Sequence, residues 1–321
     1  LGIRRCTFQA YDGLGGGWNC SAVLTAAMAV HAGICRNVLV YRAANGRSEV
    51  HRLRQSGQGR PARGAQFMAP FGSAHAAATF GHVATAYMAR YGATPDDFGH
   101  VAVTQRRHAG LNRKAIMRQP MSLEDHHASP WVIYPFRLLD CCLESDAGAA
   151  IVVSSAEQAR DSRHGPVYIT AALGGSGQTA GLWQTNGANA APALYQAAGI
   201  SARDLSFAQL YDPFTFMCMV HMEDFGLVEP GGVAGWVREG QHGLDGDTPV
   251  NTHGGLLSEA YIHGLNHVIE AVQQLRPGGV RDDLCDGPHT FDRARCRQVR
   301  DARIGLVCGE GGASSLILRA A

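Results

Sequence analysis

Pro135-Phe136-Arg137-Leu138-Leu139-Asp140-Cys141-Cys142-Leu143-Glu144-Ser145-Asp146-Ala147-Gly148-Ala149-Ala150 is the run on which the reading of this chain turns. It passes into residues 147–153 (AGAAIVV), a short apolar stretch that reads as a buried strand. Toward the N-terminus, residues 74–91 read as a helix ended by Gly92, and Asp96 and Asp97 behind Pro95 open a short helix toward residues 101–104. Earlier still, an Ala-rich helix over residues 19–33 follows Gly15-Gly16-Gly17. Residues 37–41 (NVLVY) then read as β, with a polar loop to about residue 64. Toward the C-terminus, residues 154–166 read as a linker. Residues 167–173 and 207–211 read as strands and 190–198 as a helix, and the second strand leads into a helix through Glu223. Residues 256–275 read as one long helix, 277–300 as a polar insertion, and 304–307 and 315–318 as closing strands.

Strands and helices alternate in both halves, which points to an α/β fold and to an internal duplication. With 321 residues and 45% hydrophobic side chains, the chain can bury a large core. Charged residues are only 17% and the formal net charge is +1, so no bulk field favours nucleic acid or an acidic membrane as a partner. The nine cysteines form no C-x-x-C pair, and their odd count points to reduced thiols in a cytoplasm. The sequence shows no signal-peptide pattern and no membrane-spanning apolar run.

Three stretches carry chemistry. Gly15-Gly16-Gly17-Trp18-Asn19-Cys20-Ser21 enters a helix, where backbone N–H groups and the positive dipole end meet a ligand. Gln209-Leu210-Tyr211-Asp212-Pro213-Phe214-Thr215-Phe216 lies at the end of a strand, where α/β sites sit, with Asp212 or Thr215 available for capping. Residues 251–264 (NTHGGLLSEAYIHG) open the long helix with a Gly-Gly turn, placing polar side chains over a cleft.

The Asn251-x-x-Gly254-Gly255 opening, the 135–150 run and Gly309-Glu310-Gly311-Gly312 resemble the thiolase superfamily, above all its sterol-carrier or lipid-transfer branch. The match holds in order over nearly the whole chain. It implies the thiolase fold: an α/β protein with two βαβαβαββ halves in an α/β/α/β/α layered sandwich, usually dimeric. The halves would be residues 1–160 and 161–321. Against that pattern, the N-terminal strand region is missing from the start of the chain.

The departures are specific. Anchored on Gly33, the thiolase nucleophile position falls on Gly16; counted from Gly254-Gly255, the catalytic histidine position is Tyr261. The second thiolase cysteine falls on Val307 or Cys308, and Cys20 is a rival nucleophile. These losses resemble the thiolase-like aldolases of bacterial steroid side-chain degradation, which use two tyrosines at the positions of Tyr211 and Tyr261. The Gly-Gly-Gly-Trp-Asn entry, residues 41–48 (YRAANGRS) and Leu210-Tyr211-Asp212 fit the same group.

The resemblance implies retro-aldol cleavage of a 17-hydroxy steroid CoA thioester to a 17-ketosteroid and propionyl-CoA. It implies a homodimer within a heterotetramer, completed by the OB-fold domain of a companion hydratase. No cofactor is expected, because CoA is part of the substrate. Gly16, Gly17, His253, Gly254, His263 and Gly311 are the expected substrate-binding residues. As a working assignment Tyr261 takes the hydroxyl proton and Tyr211 returns one to the enolate, with the reverse open. On helical spacing His263 points away from Tyr261. The alternatives are an active thiolase on Cys20 or Cys308, and a non-catalytic lipid carrier or acyl-CoA scaffold. A metal on Cys285, His289 and Cys296 matches no zinc spacing class. The basic stretch over residues 47–63 could meet CoA phosphates, though an exposed loop is the plainer reading.

Overall fold

The computed structural model describes residues 5–11, 15–50, 67, 69–73, 75–175, 181, 183–282, 285–286, 292–312 and 314–321. The helices are α1 Asn19–His31, α2 Ala76–Tyr91, α3 Pro95–Gly110, α4 Leu123–Ala128, α5 Ala156–Arg160 and α6 Gly187–Ala198. They continue with α7 Thr215–Asp224, α8 Val233–Arg238, α9 Gly255–Ser258 and α10 Leu265–Leu275. The strands are β1 Asn37–Asn45, β2 Trp131–Ile133, β3 Phe136–Arg137, β4 Asp146–Ser154 and β5 Val167–Gly174. Then come β6 Phe207–Gln209, β7 Arg281–Asp282, β8 Cys285–Asp286, β9 Ile304–Cys308 and β10 Ser314–Ala320.

The main sheet has the order β5-β10-β9-β6. Its β5/β10 and β10/β9 pairs are antiparallel and β6/β9 is parallel. β1 and β4 form a separate antiparallel ribbon, registered from Asn37↔Ser154 to Asn45↔Asp146. α1 and α10 fill the space between ribbon and sheet. α1 turns Cys20, Val23, Ala26 and Ala29 inward, a helical stripe. α10 does the same with Leu265, Val268, Ala271 and Leu275. Each such leucine or valine removed from water stabilises the fold by roughly 1.5–3 kcal/mol. α10 also buries a second, polar row of Asn266, His267, Glu270 and Gln274. Arg297 closes that row with a 3.1 Å bond to the Glu270 carboxylate.

The structure corrects several expectations. The helix expected over residues 256–275 breaks into α9 and α10, with His263 and Gly264 at positive φ between them. α3 is not short: a Thr94–Asp97 capping box with Pro95 at its start launches sixteen residues, held by buried Phe98, Val101 and Ala102. β4 is not buried but alternates, with Val152 65% exposed, since only one face of the ribbon is covered. The 154–166 linker contains α5, capped by Ser155. Within the 277–300 insertion, residues 296–299 are buried against the core. Cys296 is disulfide-bonded there, against the expectation of reduced thiols throughout, while seven other cysteines are free. Among the described residues no helix is long and apolar enough to cross a membrane. Most of the basic stretch over residues 47–63 lies outside the described residues, as does His289.

Candidate active site

The 135–150 run is the strap to which both tyrosine-bearing segments are tied. The Cys142 N–H donates to the Pro213 carbonyl (2.9 Å) and the Leu143 N–H to the Leu256 carbonyl (3.0 Å). The Tyr261 N–H then donates to Ser145 Oγ at 3.0 Å. Asp140, fully buried, accepts from Thr215 Oγ1 and sits 2.8 Å from His126 Nε2, which fixes the start of α7. Asp212 caps no part of α7. Its carboxylate instead accepts the Leu256 N–H at 3.0 Å and faces His267 Nε2 at 3.1 Å, so it anchors the first turn of α9. A Cβ on Gly255 would lie 2.1 Å from Asp212 Oδ2, so this close approach requires glycine.

These ties bring the two phenols together: Tyr211 Oη and Tyr261 Oη are 2.9 Å apart. Tyr211 lies two residues beyond β6, fully buried, and its carbonyl accepts from His221 Nδ1 at 3.1 Å. Burial, then the neighbouring Tyr261, raises its phenol well above the usual tyrosine range, so it is a neutral donor at physiological pH. Its ring tip occupies the space over Gly16, where a Cβ would fall 1.8 Å from Tyr211 Oη. Asn19, the first residue of α1, donates to the Gly264 carbonyl at 3.0 Å and joins the glycine entry to the end of the α9–α10 break.

His263 does not point away from Tyr261, because the segment is not helical; with φ of 51° its ring lies 4.9 Å from the Tyr261 ring, centroid to centroid. It also edges a cavity of about 850 Å³, shared with Trp18, Asn19, Val38, Val40 and Ile262. Gly17 gives its carbonyl to Ser314 Oγ at 2.6 Å. Gly311, at φ 62°, meets open space in the turn after β9.

Two expected residues stand elsewhere. His253 is buried one imidazole behind Tyr211. Its Nε2 lies 3.1 Å from His267 Nδ1, and the His267 ring meets Tyr211 edge-on at 6.3 Å. Burial, with His267 adding, lowers the His253 pKa to about 3, so it is neutral. Gly254 packs on α3, where a Cβ would sit 2.6 Å from Ala109 Cβ.

Burial disfavours the thiolate at both rival cysteines. Cys20 is fully buried and aimed at the Val307 carbonyl, and burial raises it well above the thiol range. Cys308 is pushed up to about 12 by burial. Among the described residues no group of three His, Cys, Asp or Glu is placed to hold a metal, and Cys296 is committed to its disulfide.

Sequence reasoning missed Glu310. Its carboxylate lies against the glycine entry, with Oε2 3.9 Å from where a Gly15 Cβ would be, and burial raises its pKa. A lone acid inside a Gly-rich turn at the end of a core strand was the available signal.

Residues 176–285 match the family model described as Thiolase C-terminal domain-like. The chain is 40% identical over 305 residues to a steroid side-chain-cleaving aldolase of Thermomonospora curvata, covering 88% of this chain and 78% of that one. It is 38% identical over 292 residues to a 17-hydroxy-3-oxo-4-pregnene-20-carboxyl-CoA lyase of Mycobacterium tuberculosis, covering 86% and 75%. Among solved structures, the Ltp2-ChsH2(DUF35) aldolase superposes with a TM-score of 0.83 at 37% identity, over 95% of this chain and 78% of the other. A monomeric SCP2-thiolase-like protein of Mycobacterium smegmatis superposes at 0.67 with 17% identity, over 96% and 61%, a likeness of fold. The chain therefore belongs to the steroid side-chain-cleaving aldolase family of the thiolase superfamily, as a carbon–carbon lyase.

Proposed function

We propose that this chain cleaves a 17-hydroxy steroid bearing a three-carbon CoA thioester into a 17-ketosteroid and propionyl-CoA. The observation that carries the reading is the 2.9 Å phenol pair standing over Gly16. A retro-aldol needs a group to take the hydroxyl proton and one to protonate the enolate at carbon, with no covalent intermediate. Tyr261, beside the cavity-edging His263, takes the hydroxyl proton; the neutral Tyr211 phenol donates toward the enolate. The 850 Å³ cavity, lined in part by Val38, Val40 and Ile262, supports an apolar ring body as occupant. CoA arrives with the substrate, and the chemistry calls for no further cofactor. The names of the aldolase and lyase relatives support the substrate class. The direct test is incubation with the hydroxy-steroid thioester and detection of both products; intact substrate after prolonged incubation of the assembled enzyme rejects the reading.

A thiolase on Cys20 or Cys308 finds no activated thiol here. Mass spectrometry after incubation with acyl-CoA is accordingly expected to show no acyl adduct. Cys20→Ser should keep kcat within about twofold, the substitution lying outside the proton path. A stoichiometric thioester on either cysteine overturns the aldolase reading.

We further propose a small OB-fold partner and a homodimer of this chain at the centre of a heterotetramer. The second component, ChsH2(DUF35), in the name of the solved relative supports a partner. Purified alone, the chain should be poorly soluble or inactive, and co-expression should yield a symmetric complex by light scattering. Full turnover by a partner-free monomer refutes this.

A further inference from the structure

We propose that His253 and His267 are positioning residues, which hold the two phenols at proton-transfer distance. This deepens the retro-aldol reading above, and its kinetic arm rests on that reading. Four polar side chains form one row beneath the site: Asp212, His267, His253 and Glu259. The ends of the row are sequence neighbours of the tyrosines. Asp212 follows Tyr211 directly, and Glu259 lies two residues before Tyr261. Asp212 Oδ1 stands 3.1 Å from His267 Nε2, and His267 Nδ1 stands 3.1 Å from His253 Nε2. His253 Nε2 in turn lies 3.4 Å from Glu259 Oε2. Asp212, His253 and His267 are fully buried. In the middle of the row the His267 ring meets the Tyr211 ring at 75°, with centroids 6.3 Å apart. The row therefore packs on one tyrosine and holds the segment that carries the other.

The hydrogens of the row run in one direction. Burial lowers the His253 pKa to about 3, so this imidazole carries a single N–H. Its Nδ1 has no hydrogen-bond partner, whereas Nε2 faces both His267 Nδ1 and the Glu259 carboxylate. Orphaned buried N–H groups are rarer than under-used acceptors, so the hydrogen belongs on Nε2. His253 then donates to His267 Nδ1, which leaves the His267 hydrogen on Nε2, the nitrogen beside the Asp212 carboxylate. Glu259 clamps the far end. Its Oε1 accepts from Asn112 Nδ2 and its Oε2 from Asn266 Nδ2, both at 2.8 Å. Asn112 follows α3 and Asn266 lies in α10, so two neighbouring helices grip the start of the α9–α10 break.

Stability alone does not call for such a row, since well-packed apolar side chains of similar shape often serve as well. What a connected polar network adds is a single fixed arrangement. The phenol pair needs one. Proton transfer works over about 2.6–3.2 Å, and the pair stands at 2.9 Å. Residues 260–264 lie outside both helices, so no helical frame keeps Tyr261 in place. The histidine pair, braced by a carboxylate at each end, supplies that frame.

His267→Phe keeps a ring against Tyr211 and removes both nitrogens. His267→Gln loses the ring, but its amide donates to Asp212 and accepts from His253, the native pattern. In the assembled enzyme, kcat for thioester cleavage should fall about tenfold or more in His267→Phe, with KM within about twofold. His267→Gln should recover part of the rate. Added to Tyr211→Phe, His267→Phe should cost less than about twofold further, because it acts through a phenol pair already broken. A merely structural loss would fall on both backgrounds alike. Glu259→Gln guards against a His267→Phe chain that does not fold: it keeps the side-chain shape, sets an amide N–H against an asparagine donor, and should lower kcat with the same dependence on background. The second arm needs no substrate. In crystals of either variant the phenol oxygens should stand farther apart than about 3.2 Å. Intact steroid thioester with wild type removes the retro-aldol reading, and the oxygen separation still decides the proposal. An unchanged 2.9 Å pair overturns it, as does a His267→Phe enzyme with wild-type kcat, or a loss equal in the Tyr211→Phe background.

Discussion

Tyr261→Phe lowers kcat by about a hundredfold or more, the usual weight of a general acid–base group, and Tyr211→Phe does likewise. Each variant deletes one oxygen of the 2.9 Å pair and leaves ring packing in place. KM should move little, because the phenols act on the departing and arriving protons rather than on the bound thioester. The double variant should be hardly slower than either single one, since the two oxygens pass one proton and work as a unit. The measurement is propionyl-CoA release with the partner present. Near-normal turnover by both Phe variants, with loss on His263→Ala, moves the proton chemistry to the histidine that touches Tyr261.

Gly16→Ala is expected to be as damaging although it removes nothing. The added methyl would lie 1.8 Å from both Cζ and Oη of Tyr211, and a buried ring can relieve that only by swinging away from Tyr261. The expected loss in kcat is again about a hundredfold, matching a hydroxyl deletion. Adding Tyr211→Phe to Gly16→Ala should cost little more, because the phenol pair is already broken. A melting curve separates this from unfolding: the variant should lose no more than about 1–3 kcal/mol of stability, the usual range for overpacking. Gly16→Ala with wild-type kcat would mean that the phenol pair is not the working geometry.

The α/β alternation and most element cores were legible because their signals are local. β1, β5 and α6 follow from apolar runs, and α2 from an apolar stripe closed by Gly92 in the left-handed region. The failures came where tertiary contacts overrule the local pattern. Leu256, Leu257, Ala260, Ile262 and Leu265 suit a continuous helix, yet His263 and Gly264, both at positive φ, break it. His263 therefore turned out to touch the ring it was expected to avoid. β4 reads as a core strand, but its partner ribbon leaves one face uncovered. Of the candidate site, Gly16, Tyr211 and Tyr261 could be placed by spacing against a resembled family. Their mutual contact, and the approach of Glu310 to the glycine entry, depend on segments far apart in the chain, which one sequence without relatives does not bring together.

The break between α9 and α10 opposes stability to activity. Residues 260–264 lie outside both helices, and Gly264, held at φ 78°, brings with it an entropic cost of about 1 kcal/mol relative to alanine in a helix. A designer seeking a hardier enzyme would be drawn to it, since filling glycines and lengthening helices is a standard route to a higher Tm. Here that route runs into the site. A Cβ at 264 would meet Asn19 Nδ2 at 2.7 Å and the Tyr211 ring at 2.9 Å, and a continuous helix would carry Tyr261 and His263 to different faces. Thermostabilising changes belong on the outer helices instead, and the irregular loop is best left as it is.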